Sequence, residues 1–194
     1  MSPAFPEDYA RAQRLQERDS SAAQELFAEL GEQMYGYAFR MLRDRSAAED
    51  AFQEAMLGAL QSIASYDGRV ALRSWIYGIL RNKIADIQRK RGRDMSISMG
   101  DPEDAYWGAN GHWNQKKDFN PFDENAEMLG VVRECMDALP HNQREALQLR
   151  AVDGLNSDDA ADALGVSSVN LRQILHRARQ NVRKCVEGKI GEEV

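Results

Sequence analysis

Asn170, Gln173 and Arg177 recur at helical spacing near the end of the chain, flanked by Arg172 and His176. Residues three and four apart share a helix face, so these side chains form one polar stripe. Asn, Gln and Arg are the side chains able to make bidentate hydrogen bonds to base edges in a major groove. Arg179, Arg183 and Lys184 extend the same segment with cations suited to neutralising phosphates. A second basic run holds Arg69, Arg73, Arg81, Lys83, Arg89, Lys90, Arg91 and Arg93 against the single acid Asp86. Taken singly, either cluster also fits an ordinary solvated helix face. Bond-making chemistry has no counterpart here: no phosphate-binding glycine loop, nucleophile elbow or HExxH motif occurs. Adjacent acids such as Glu49-Asp50 and Asp158-Asp159 diverge in direction on a helix and make poor acid–base pairs.

Helices must position these groups, because apolar residues recur with helical and not strand periodicity. Ser21-Ala22-Ala23-Gln24 reads as a capping box before Leu26, Phe27, Leu30, Met34, Tyr37, Ala38, Met41 and Leu42. Ser46-Ala47-Ala48-Glu49 repeats the device ahead of Phe52, Met56, Ala59, Leu60 and Ile63. Tyr66-Asp67-Gly68-Arg69 predicts a turn. Leu72, Trp75, Ile76, Ile79, Leu80, Ile84 and Ile87 then mark a third long helix, and a short one is expected near Tyr9 to Gln16. From Asp94 to Asn125 the periodicity disappears, although Tyr106, Trp107, Trp113, Phe119 and Phe122 are scattered through the segment. Helical signals resume near Ala126 and end a first helix at Leu139-Pro140; a second spans about Gln143 to Val152. Ser157 is expected to cap a short helix ending at Gly165, and Ser167 or Ser168 to cap the last one. Ala161 and Gly165 supply the small residue and the left-handed turn of a helix-turn-helix. Leu171 and Ile174 then face the core, leaving the polar stripe outward.

An all-α fold is therefore expected, with two small helical domains at residues 1–93 and 126–194 and a long irregular linker at 94–125. The 194 residues carry a net charge of −6, with 43% hydrophobic and 29% charged residues, which fits a soluble globular protein. The acids lie apart from the two basic clusters, a distribution suited to selective DNA contact. The chain begins without a signal-peptide pattern and holds no membrane-spanning apolar run, so a cytoplasmic protein without membrane insertion is expected. Cys135 and Cys185 are expected as free thiols, with a disulfide or a metal site shared with His141 or His176 as alternatives. Zinc favours four ligands at compact spacing, and this sequence offers no such cluster; no cofactor is expected.

Ala48-Glu49-Asp50-Ala51-Phe52-Gln53-Glu54, Tyr66-Asp67-Gly68-Arg69 and Leu72-Arg73-Ser74-Trp75-Ile76-Tyr77-Gly78-Ile79-Leu80-Arg81-Asn82 together resemble the second conserved region of sigma-70-type factors. Leu139-Pro140, Arg144-Glu145-Ala146, Asp153-Gly154-Leu155 and Leu175-His176-Arg177-Ala178-Arg179 look like the fourth region. Two such regions with little between them are similar to the layout of the extracytoplasmic-function sigma factors. The resemblance implies a subunit that binds core RNA polymerase through β′ and β, recognises −35 and −10 promoter elements and initiates transcription. It places Asp50, Gln53 and Glu54 on the β′ clamp, where an acidic helix face meets basic residues. It places Tyr66 and Asp67 at a flipped −10 base, and Arg73, Arg81, Asn82 and Lys83 along the opened strand. Ser168, Asn170, Arg172, Gln173, His176 and Arg177 would contact the −35 element. An anti-sigma factor is the family's usual partner, and it would control the protein in trans. Trp75 is expected in the core rather than as a stacking platform.

Two other readings compete. A conventional helix-turn-helix regulator would explain the second domain but not the Glu49-Asp50 to Gln53-Glu54 pattern, and it would bind duplex DNA without polymerase. An enzyme lacks every motif named above.

Overall fold

The computed structural model describes residues 3–90 and 126–191, all of whose regular elements are helical. α1 (Pro6–Gln16), α2 (Ser20–Leu42), α3 (Arg45–Ser62) and α4 (Leu72–Lys90) build the first domain. α5 (Ala126–Asp137), α6 (His141–Leu147), α7 (Ser157–Leu164) and α8 (Ser168–Gly191) build the second. A 3-10 turn (Ile63–Ser65) follows α3, and a π turn (Gln148–Val152) continues α6. The expected linker, with its aromatic residues, lies outside the described residues.

α2, α3, α7 and α8 begin where a short polar side chain accepts from an open backbone N–H, and in the first three that residue differs from the expected serine. Asp19, and not Ser21, caps α2 by accepting from the N–H groups of Ser21 and Ala22. Asp44 caps α3 through the N–H of Ala47, and Asn156 caps α7 through that of Asp159. The cap residue must itself be extended while its side chain reaches forward two or three residues, so the signal falls upstream of the expected serines. At α8 the choice falls on Ser167, whose Oγ accepts from the N–H of Asn170 at 3.2 Å. α1 begins three residues earlier than the periodicity suggested, at Pro6, where a missing N–H does no harm.

The first core forms where α3 packs between α2 and α4. Met34, Tyr37, Ala38, Ile76, Leu80 and Ile84 are fully buried there. Phe27 and Leu60 were expected in this core but stand exposed, Phe27 with its ring tilted on Phe52. Trp75 is partly buried against the core, as expected. In the second domain Leu171, Leu175, Ala178, Val182 and Val186 turn α8 inward against α5, α6 and α7.

Cys135 on α5 and Cys185 on α8 form a disulfide, which corrects the expectation of free thiols. The two helices lie side by side and bring these Cα atoms to 5.8 Å, within the range a disulfide requires.

The two domains are in contact. α7 lies across α4, with Gly78 facing the Ala163 carbonyl oxygen; a Cβ at that position would meet this oxygen at 3.7 Å, an ordinary contact. The α7–α8 turn depends on Gly165 in the left-handed region at φ 66°, with no neighbour within 4 Å of an added Cβ. Gly165→Ala should therefore cost only the backbone strain, about 1–2 kcal/mol. A urea titration should show this as a lower midpoint with an unchanged slope.

Candidate nucleic-acid and polymerase-binding surfaces

On α8 the buried side chains fix the outward face. Asn170, Arg172, Arg177 and Arg179 are exposed, and Gln173 and His176 are half-buried beside them. The predicted stripe is thus assembled on one helix and open to solvent. Ser168 differs, because its hydroxyl donates to Asp158 at 3.0 Å and ties α8 to the start of α7. Arg172 Nε donates back to the Ser168 carbonyl at 3.2 Å, and His176 pairs with Gln180 at 3.0 Å. Ile174 is half-buried against the core, while Leu171 is fully buried.

The α3 face is equally direct. Ala47, Ala48, Ala51, Phe52 and Ala55 are buried toward the bundle, so Asp50, Gln53 and Glu54 point outward together. Glu54 pairs with Lys83 of α4 at 3.2 Å, which joins this acidic face to the basic helix.

The residues from Tyr66 to Lys83 divide into three groups. Asp67 is exposed and pairs with Arg69 at 3.0 Å, while Asn82 is exposed and Lys83 half-exposed. Tyr66, expected to face a flipped base, instead faces the core at 5% exposure. Its hydroxyl donates to the Val70 carbonyl at 2.7 Å, and its ring packs on Trp75. Burial, reinforced by the negative charges of Asp8 and Asp67, holds that hydroxyl well above the ordinary tyrosine pKa, so it remains a donor. Arg73 and Arg81 face the second domain. Arg73 Nη2 donates to Gln33 and to the Asp153 carbonyl, each at 2.7 Å, and its guanidinium lies over the Tyr77 ring.

Sequence reasoning missed the groups that receive these arginines. Glu145 on α6 is 1% exposed and accepts from Arg81 Nε at 3.1 and 3.2 Å and from the Tyr37 hydroxyl at 3.3 Å. His141 Nε2 stands 3.3 Å from the same carboxylate. Burial pulls the Glu145 pKa upward, but His141 and Arg81 outweigh it and hold the group below its ordinary value. Asp153 pairs with Arg40, and Arg43 pairs with Asp137 farther along the same seam. For Asp153 burial prevails over the Arg40 and Arg73 charges, and its pKa is raised. The i, i+4 pairing of His141 with Glu145 was the local hint available, since the other partners lie 64 to 113 residues away.

The Sigma-70 region 2 profile matches residues 26–94, and the Sigma-70, region 4 profile matches residues 129–182. The chain is 30% identical over 146 residues to the ECF RNA polymerase sigma factor EcfG of Rhodopseudomonas palustris, covering 75% of each protein. It is 29% identical over 160 residues to the ECF RNA polymerase sigma factor SigM of Bacillus subtilis, covering 82% of this chain and 92% of SigM. In fold it is similar to the sigma factor RpoE of Bartonella quintana, solved in complex with the anti-sigma factor NepR. That match has a TM-score of 0.58 at 23% identity and covers 84% of this chain and 98% of RpoE. Among the described residues no helix is long and apolar enough to cross a membrane. The two regions in their order, and the relatives that span most of both, place this chain among the ECF RNA polymerase sigma factors of the sigma-70 family.

Proposed function

We propose that this protein is the subunit that gives core RNA polymerase its promoter specificity, acting in the cytoplasm without catalysing a reaction itself. Asp50, Gln53 and Glu54 form the acidic face that docks on the β′ clamp, and the second domain approaches β. Asn170, Arg172, Gln173, His176 and Arg177 enter the major groove at the −35 element. Ser168 sets the start of their helix through Asp158. Asp67, Asn82 and Lys83 meet the opened −10 strand, with Tyr66 supporting their loop from beneath. Arg73 and Arg81 join them once the second domain moves away, because both are engaged across the seam in the present arrangement. Residues 1–93 and 126–194 serve as the two working domains, and 94–125 as the linker between them.

The closed seam suits control in trans. An anti-sigma factor that holds the two domains together keeps Arg73 and Arg81 from DNA and blocks the spacing that −35 and −10 contacts demand. The solved complex of RpoE with NepR supports this expectation for a protein of the same fold.

The observation that carries the reading is the outward stripe on α8 within a chain that also holds the acidic α3 face. Run-off transcription from genomic fragments with purified core polymerase tests it. Discrete new transcripts are expected only when the protein is added. Arg177→Ala should weaken −35-dependent starts about tenfold, the loss of one base-edge contact worth roughly 1–3 kcal/mol. Tight duplex binding by the protein alone, with neither transcripts nor binding to core, would leave a simple helix-turn-helix regulator instead.

A further inference from the structure

The segment before α1 does more than begin the chain. The N–H groups of Ala4 and Phe5 both donate to the Gly68 carbonyl, at 2.9 and 3.1 Å. Asp8 Oδ2 accepts from the N–H of Leu72 at 2.8 Å, across 64 residues of sequence, and so serves as the N-terminal cap of α4. Gly68 lies in the left-handed region at φ 70°, and a Cβ there would come within 2.6 Å of Pro3 Cβ and 3.2 Å of the Tyr9 ring. Residues 66–71 are thus held in the middle, where Gly68 accepts from the backbone of Ala4 and Phe5, and at their C-terminal end, where Asp8 caps Leu72. Within the loop Tyr66 donates to the Val70 carbonyl, and Asp67 accepts from the N–H of Arg69 at 3.1 Å. The exposed groups left on its outer surface are Asp67 and Arg69.

We propose that the segment from Pro3 to Tyr9 is a brace that sets the −10 loop, with Asp8 as a positioning residue for promoter recognition. This rests on the sigma reading of the loop given above. Capping α4 at Leu72 sets where the helix begins and therefore where the preceding loop leaves it. The double hydrogen bond at Gly68 fixes the loop's middle. Between these two points the direction of Asp67 and Arg69 is determined, so a strand entering the site meets side chains already in place. Preorganisation of this kind favours the correct base, because a loop that must be ordered on binding loses affinity and discrimination together. Asp8 itself touches no nucleic acid in this scheme.

The test uses holoenzyme assembled from the full chain and core polymerase. The probe is a promoter fragment active in run-off transcription, carrying a premelted bubble with a randomised −10 segment. Asp8→Ala should weaken retention of the bubble about fivefold, the equivalent of one lost helix cap, and broaden the −10 bases selected. Its affinity for core and for the −35 duplex should match the wild type. Asp8→Asn keeps an acceptor at the cap and should restore both retention and base selection. Ala4→Pro removes one donor to Gly68 at an exposed position and should broaden base selection in the same direction, independently of α4 capping.

Wild-type holoenzyme that fails to transcribe overturns the sigma reading and the brace with it. An active wild type whose Asp8→Ala and Ala4→Pro variants select unchanged −10 bases overturns the brace alone. So does an equal loss of core, −35 and −10 binding, since that is the mark of a merely structural contact.

Discussion

Replacing Glu145 with alanine is expected to separate the two domains while each stays folded. The carboxylate is buried, and it is the counter-charge of Arg81, whose side chain is only 23% exposed. Removing one partner of a buried pair leaves the other charge without its match, at a cost of about 3–5 kcal/mol. Arg81 keeps one neutral acceptor, the Leu164 carbonyl at 3.3 Å, so the lower end of that range applies. The loss falls on the contact between domains, because Glu145 belongs to α6 whereas Arg81 and Tyr37 belong to the first bundle. Small-angle scattering should show a larger radius of gyration for Glu145→Ala, and single-stranded −10 oligonucleotides should bind more tightly as Arg73 and Arg81 are released. An unchanged radius would mean that α4–α7 packing, and not the ion pairs, holds the domains together.

The pH dependence follows with its sign. Glu145 has a lowered pKa in the closed form, so its stabilisation is complete above the ordinary carboxylate pKa, about 4.3. It is lost as the pH falls through the lower value. Asp153 acts oppositely, because its pKa is raised: its contribution is complete below its ordinary value, about 3.9, and is lost as pH rises through the raised one. Near neutrality the seam therefore carries the burial cost of Asp153 and the benefit of Glu145. Acid opening, followed by the same scattering measurement, should begin only below about pH 4.3.

Reduction of Cys135–Cys185, or its replacement by two serines, should lower the stability of the second domain by about 4 kcal/mol. That figure is the chain entropy returned to the unfolded state when a loop of this length is released. The cysteines are separated by 50 residues, and the loop they close holds α6, α7 and most of α8. Cys135 is fully buried, so the serine at that position adds a polar group without a partner. Calorimetry with and without a thiol reductant should show the melting temperature falling by about 10 °C or more. The first half of α8 retains Leu171 and Leu175 in the core, so the recognition stripe should survive at low temperature while the distal half frays. Equal melting in both conditions would mean that the cysteines do not bridge in solution.

The helices, their order and the outward stripe of α8 were legible in the sequence because each depends on neighbours within a turn or two. Apolar spacing identifies a helix and its inner face. The same count places Asn170, Gln173 and Arg177 together on the opposite face, and likewise Asp50, Gln53 and Glu54 on α3. The actual caps also lie close by in sequence: Asp19, Asp44 and Asn156 stand one or two residues upstream of the predicted serines. The tertiary structure decided what a side chain meets once its helix is packed. Tyr66 and Arg73 belong to one motif, yet one is buried in the bundle and the other faces a second domain. Glu145 lies within its predicted helix and Asp153 just past the end of it, and only the approach of the first domain buries them against Arg81 and Arg40. The pairing of Cys135 with Cys185 and the reach of Asp8 to Leu72 have the same origin. Such contacts join residues 50 or more apart, and local periodicity carries no information about which distant side chain will be opposite when two helices meet.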